Sequence, residues 1–137
     1  MKKEYDLIRL EVSASEVRMA FEAALRAMLS ITLEVANRRP ETPRSVPFRG
    51  EGSNLAELFQ DLIADLEAQL EIHGRDAHDV TVDGVIANGD GGYVGWGYLL
   101  GAFAEEPGDG LPHLLDQPVV TEDSEGRVVI QATLAGR

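Results

Sequence analysis

The residues with the clearest potential for chemistry lie in "GDGGYVGWGYLLGA", residues 89–102, which contains six glycines. A glycine-rich loop can bind phosphate through its backbone, but a dinucleotide loop needs G-x-G-x-x-G and a P-loop ends in Lys followed by Ser or Thr. Counting from Gly89 and from Gly95, the third required glycine is replaced by Val94 and Leu100, and the stretch contains no lysine. The stretch is therefore not a nucleotide-binding signature.

The same stretch alternates in a way that is typical of a β-strand. Trp96 and Tyr98 fall on one side, and Gly95 and Gly97 on the other. Glycine inside a strand often marks a bend or the close approach of another backbone. We therefore predict a strand with one bare face, against which a helix or a neighbouring backbone packs. The alternative is a small ligand-binding pocket at Trp96, Tyr98, Gly95 and Gly97.

Four arginines are clustered in the chain and form a second candidate site. Arg38, Arg39, Arg44 and Arg49 lie within twelve positions of an otherwise acidic sequence. They could form a patch that binds an anion or a protein partner. Alternatively, they balance nearby glutamates in weak, exposed ion pairs. The histidines show no zinc-binding spacing and there is no G-x-S-x-G elbow, so the sequence predicts no cofactor and no catalytic residues.

Composition limits the range of partners. The chain has 12 Lys and Arg against 24 Asp and Glu, which gives a net charge of −12. Such a field repels phosphate backbones, so direct nucleic-acid binding is not expected, whereas a basic protein partner would suit it. There is no cysteine, no apolar run of membrane-spanning length and no signal-peptide pattern. A cytoplasmic protein without membrane contact is the expectation.

Two amphipathic helices and several strands must position these residues. Apolar residues recur at helical spacing after Ser13 as far as Asn37, and again from Ser53 to Gly74. Alternating segments surround them, and the Asn-Gly pair at Asn88 predicts a hairpin turn. We predict one domain over residues 1–137 with an α+β fold: two helices on one face of a mainly antiparallel sheet of about six strands.

The pattern as a whole resembles the archease family, over nearly the full length of the chain. The resemblance is carried by "AFEAALRAMLSI", "FRGEGSNLAELFQDLIADLE", "WGYLLGA" and the closing "VVTEDSEGRVVIQATLAG". Archeases assist a 3′-phosphate RNA ligase in loading guanylate, and they have an acidic metal site. The resemblance thus implies an accessory protein that acts through protein contacts, with an RNA ligase as one partner to consider. Independently of the resemblance, a homodimer is a further assembly to consider.

The departures from that family fall on its metal site. The N-terminal "H-T-A-D" is missing, so that Leu7 takes the ligand position and Asp6, one residue away, is the nearest acid. The closing strand ends in Ala135 where the family has aspartate, and "PHLLDQ" replaces the lysine-containing strand. The expectation is an archease-like protein without metal-dependent activity, with Asp6 as a weak metal candidate. A ligand-binding module or small enzyme is the alternative.

Overall fold

The computed structural model describes residues 7–32, 44–73, 76–102 and 111–135, which form two helices and seven strands. In chain order these are β1 (Leu7–Ala14), α1 (Val17–Thr32), β2 (Arg44–Gly52), α2 (Leu55–His73), β3 (Asp76–Ala87), β4 (Tyr93–Ala102), β5 (His113–Leu114), β6 (Val119–Glu122) and β7 (Val128–Ala135). All the strand pairs are antiparallel. The predicted α+β fold class is confirmed.

The described strands form two sheets instead of the single sheet that the sequence predicted. In the first sheet β7 pairs with β1 on one side and with β5 and β6 on the other, and in the second β4 lies between β2 and β3. The predicted hairpin turn joins β3 to β4, with Gly89 and Gly91 at positive φ. The amide oxygen of Asn88 accepts the backbone N–H groups of Asp90 and Gly92 within this turn.

The two helices enclose a common apolar core. Helix α1 packs against β1 and β7 of the first sheet and along β3 of the second, whereas α2 packs mainly on β2 and β4. The helices meet through Phe21 and Phe59, whose ring centroids are 5.1 Å apart. Leu62 on α2 is fully buried, so the apolar stripe of this helix faces the core as its spacing predicted.

Carboxylates of α2 accept hydrogen bonds from backbone N–H groups along the outer edge of β2. The side chains of Glu57, Asp61 and Asp65 accept the backbone N–H groups of Ser53, Glu51 and Arg49, at 2.9, 2.8 and 2.8 Å. Four helical residues advance about 6 Å and two strand residues about 6.7 Å. A row of acids at every fourth position can therefore pair with every second N–H of the strand.

Side chains of α1 likewise form hydrogen bonds with backbone groups along the outer edge of β3. This occupied edge explains why the strands form two sheets. Glu22 accepts the N–H of Val82 at 3.1 Å, and Arg18 donates to the carbonyl oxygen of the same residue at 2.9 Å. Arg26 donates to the carbonyl of Val80 at 3.1 Å and to Asp79 at 2.9 Å. Side chains occupy these backbone groups of β3, so no further strand pairs along them.

Neither helix is apolar over the length that a membrane crossing would require, as far as the described residues extend.

Candidate functional site

The glycine face of β4 is filled by neighbouring parts of the protein. Gly95 and Gly97 are buried. A Cβ on Gly95 would lie 3.3 Å from the Cδ1 of Leu62 on α2, and a Cβ on Gly97 would lie 1.9 Å from the carbonyl oxygen of Thr81 on β3. A helix and a neighbouring backbone therefore approach these glycines closely, as the bare-face interpretation predicted.

The proposed pocket that combined these glycines with Trp96 and Tyr98 is wrong. Trp96 and Tyr98 are exposed at 37% and 36%, and they lie on the opposite face of β4 from Gly95 and Gly97. Because side chains alternate along a strand, the four residues cannot line one cavity. The glycines belong to the packing of α2 and β3, and the aromatic residues face outwards.

The six-membered ring of Trp96 lies directly against a third glycine, Gly84 on β3. The two residues are cross-strand partners, and a Cβ on Gly84 would lie 2.2 Å from the Cζ2 of the indole. An aromatic ring that covers a cross-strand glycine is a known way to fill the gap in a sheet. Gly84 thus fixes one side of the ring, while the exposed part of the ring remains accessible.

An open cavity of about 640 Å³ borders Trp96. The start of α1, the end of β3 and the β6–β7 hairpin border it. Its lining residues are Ser15, Glu16, Val17, Arg18, Asp83, Gly84, Val85, Ile86, Trp96, Glu122, Gly126 and Val128. Ile86 is 54% exposed, so the cavity combines an accessible apolar wall with a polar rim.

The rim of this cavity is acidic. Glu16, Asp83 and Glu122 are exposed carboxylates, and Arg18 is the single basic residue in the lining. The guanidinium of Arg18 is engaged with the carbonyl of Val82 and lies 4.0 Å from Glu22. Within the cavity lining the charge available to a ligand is therefore negative beside an aromatic ring, an arrangement that favours a cationic group, whereas Arg49, the cross-strand partner of Trp96 on β2, lies outside the lining.

Asp83 reaches the rim because β3 is irregular at this point. The register with β4 shifts between Val82 and Gly84, so Asp83 is the extra residue of a β-bulge. A bulge redirects a side chain relative to the regular alternation of a strand. The bulge places the carboxylate of Asp83 beside the residue that supports the Trp96 ring.

The predicted arginine patch is only partly within the described residues. Arg38 and Arg39 lie outside them, as does the weak metal candidate Asp6. Arg44 begins β2, and Arg49 is exposed on the same strand, where it is the cross-strand partner of Trp96. The patch therefore remains a prediction, with Arg49 the one member whose surroundings are described.

The two positions at which the sequence analysis expected metal ligands to have been lost lie next to each other. Leu7 and Ala135 are direct partners in the β1–β7 pair, and His113 of β5 is the partner of Ala135 on the other side. Leucine and alanine offer hydrocarbon where a metal needs oxygen or nitrogen donors. These residues do not fit a metal site, and the described residues contain no group of three or more His, Asp or Glu that could hold a metal ion.

Sequence reasoning identified Trp96 but missed the residues that surround it. Asp83 and Gly84 are consecutive on β3, but Glu16 precedes α1 and Glu122 ends β6, and no local spacing connects these elements with Trp96. The one available signal was the glycine of "VDGVIA" inside an apolar alternation, which indicates a bulge or a close approach. The sequence also contains a single tryptophan, Trp96, so this surface has a natural spectroscopic probe.

Fold and site together define a small α+β protein with an acidic cavity beside one exposed tryptophan, between its sheets. No family model matches the chain, and no curated protein matches it. Among solved structures, the solution structure of protein 1598 of Methanobacterium thermoautotrophicum, a structural-genomics target, is similar with a TM-score of 0.63. The similarity covers 94% of this chain and 91% of that chain at 14% identity, and at this identity it shows the fold alone.

Proposed function

We propose that this protein is a non-catalytic accessory protein that binds a basic segment of a partner protein at the cavity beside Trp96. The observation on which the proposal depends is an exposed indole, held on Gly84, next to the carboxylates of Glu16, Asp83 and Glu122. An arginine or lysine side chain over an indole face gains about 0.5–2 kcal/mol, and flanking carboxylates add to the attraction.

The charge of the whole protein supports the same class of partner. A net charge of −12 attracts basic proteins over longer distances and accelerates their association, especially at low salt. The apolar wall at Ile86 and Val85 offers contact area for the carbon chain of a lysine or arginine. An extended basic segment could therefore place one side chain on Trp96 and keep its neighbours on the acidic rim.

The archease resemblance supports the accessory part of this proposal. The fold agrees with the expected α+β class, and the register brings Leu7 and Ala135 together at the positions where the resemblance implies ligands. With hydrocarbon at both positions, the contribution that we propose is binding without metal chemistry. By the same resemblance, an RNA ligase is the partner class to test first.

Intrinsic fluorescence tests the proposal directly because Trp96 is the single tryptophan. We would titrate the protein with a capped peptide of alternating arginine and glycine, and with the same peptide carrying glutamate for arginine. We expect a saturable change in emission with the arginine peptide, weakened by salt, and none with the glutamate peptide. The absence of any change with the arginine peptide would contradict the proposal.

Charge-neutral variants then localise the binding. Asp83→Asn removes a carboxylate from the rim, and Glu71→Gln removes an exposed carboxylate of α2 that is not part of the cavity lining. An exposed pair is worth up to about 1 kcal/mol, so Asp83→Asn should raise the peptide Kd by about two- to fivefold. Glu71→Gln should leave it nearly unchanged. Equal effects of the two variants would show attraction to the whole protein without a site at Trp96.

The volume of the cavity favours one second candidate, a module that binds a small organic cation. A cavity of about 640 Å³ is large enough for a complete small ligand. Titration with arginine amide separates the two functions. Binding as tight as that of the peptide would favour the small-ligand module, whereas binding at least tenfold weaker would favour an extended protein segment.

A further inference from the structure

The outer edge of β1 differs from the other long sheet edges in the structure. The outer edges of β2 and β3 are paired with side chains of α2 and α1, as described above. β1 pairs with β7 on one side, and within the described residues no other element hydrogen-bonds to its second side. An open edge of eight residues is a template for pairing with another strand.

The side chains of β1 also leave apolar surface exposed. Ile8, Leu10 and Val12 pack against the core but are only half-buried. On the other face Leu7 is 71% exposed. A strand added beside β1 would cover these residues on both faces, so the edge is incomplete in packing as well as in hydrogen bonding.

We propose that the occupant of this edge is a second copy of the same chain, paired antiparallel through β1 about a two-fold axis at Leu10. This register is set by charge: it places Arg9 opposite Glu11 of the second copy, and by symmetry forms the same pair twice. It also places Leu10 beside Leu10 and Ile8 beside Val12 on the inner face. The inference is independent of the function proposed for the Trp96 cavity.

Compared with the registers next to it, this register is the one in which the sequence of β1 is self-complementary. A shift of one residue would place the inner apolar face of one copy against the charged face of the other. A shift of two residues, with the axis at Arg9 or Glu11, would oppose like charges directly at the axis, which is destabilising. The isologous contact that results is closed, so the product is a dimer without further growth at this edge.

Cysteine cross-linking tests the register because the chain contains no cysteine. In the proposed dimer the Cα atoms of the two Leu10 residues lie about 4.5–5.5 Å apart, within the range of a disulfide. The two Ile8 residues are about 13 Å apart. Leu10→Cys should therefore form a covalent dimer on mild oxidation, and Ile8→Cys, an equally half-buried matched control, should form at least tenfold less.

A charge exchange tests the same contact without changing the core. Arg9→Glu would replace two attractive pairs by two repulsive ones, and we expect the dimer Kd to rise about tenfold or more. The double variant Arg9→Glu with Glu11→Arg restores opposite charges and should return the Kd to within about threefold of the parent. Sedimentation analysis over a concentration series at physiological salt measures all three proteins.

Each outcome decides the proposal. Dimerisation of the parent, specific cross-linking at position 10 and rescue by the charge exchange would support it together. A parent that is monomeric up to several hundred micromolar would overturn it. Equal cross-linking at positions 8 and 10, or a dimer unaffected by Arg9→Glu, would also overturn it, because the contact would then lie on another surface. Circular dichroism of each variant confirms that the comparison is between folded proteins.

Discussion

Gly97→Ala probes the tightest contact in the second sheet. The added methyl group would lie 1.9 Å from the carbonyl oxygen of Thr81 and 3.0 Å from the Cα of Val82, both of them backbone atoms of β3. Non-bonded carbon and oxygen atoms seldom approach within about 3.3 Å. β3 and β4 would therefore have to separate by more than about 1 Å at this point.

The expected destabilisation has two parts. Overpacking a filled space typically costs about 1–3 kcal/mol. Separation of the strands weakens one or two hydrogen bonds of the ladder, each worth about 1 kcal/mol. Together these give about 2–4 kcal/mol, a large fraction of the 5–15 kcal/mol that stabilises an ordinary domain. The melting temperature should fall by roughly ten degrees.

Gly95→Ala is the matched control on the same strand. Its methyl group would lie 3.3 and 3.4 Å from the Cδ1 atoms of Leu62 and Leu58, the ends of flexible side chains that can move slightly. Neither Gly95 nor Gly97 has a positive φ, so alanine fits the backbone conformation at both. Alanine also restricts the unfolded chain, so the change should stay within about 1 kcal/mol.

Calorimetry of the two variants and the parent measures the difference. A clearly larger loss of stability for Gly97→Ala than for Gly95→Ala would support close packing of β3 on β4. Equal melting temperatures would refute the reasoning. A second result would also contradict the reasoning. If the parent bound ATP or GTP and Gly97→Ala did not, the glycine-rich stretch would be a nucleotide-binding loop, which the sequence analysis excluded.

Two further predictions concern acid titration and metal binding. The hydroxyl of Ser53, and then its N–H, lower the pKa of Glu57 in the folded protein, so the unfolded state binds the proton more readily. Glu57 therefore stabilises the protein above its ordinary pKa, and the advantage of the parent over Glu57→Gln in thermal melting should disappear as the pH falls through the lowered value. Calcium or manganese should leave the melting temperature unchanged, because Leu7 and Ala135 offer no donor atoms, whereas binding at a hundred times Kd would add about 2.7 kcal/mol. A rise of several degrees that Asp6→Asn abolishes would contradict the second prediction.

Local patterns predicted the elements of the fold well. The helical spacing that buries Leu62 and the Asn-Gly turn at Asn88 each depend on residues close together in the sequence. The cap of α2 is equally local: the amide oxygen of Asn54 accepts the N–H of Glu57, three residues later, at 2.9 Å. Hydrophobic periodicity and turn chemistry act over a few residues, so a single sequence is sufficient to read them.

The division into two sheets and the Trp96 cavity could not be predicted in this way. Arg18 reaches a carbonyl that is 64 positions away in the chain, and Glu22 an N–H 60 positions away. Neither contact can be recognised from the hydrophobic periodicity, because Arg18 and Glu22 also fit the ordinary polar face of an amphipathic helix. The cavity likewise requires the β-bulge at Asp83, for which the glycine of "VTVDGVIA" is the one local signal, and that signal does not tell which residues the bulge brings together.

The structure also separates acidic residues that hold the fold together from those available to a partner. Part of the net charge of −12 has a structural use, because Asp61 and Asp65 accept backbone N–H groups of β2 and so complete a sheet edge. Asp83 and Glu122 have no such backbone partner among the described contacts, and they border the exposed indole. Neutralising the first pair should therefore change stability, whereas neutralising the second should change binding. Acidity alone does not distinguish a site, and the site that we propose rests on acidity without a structural use beside an accessible aromatic ring.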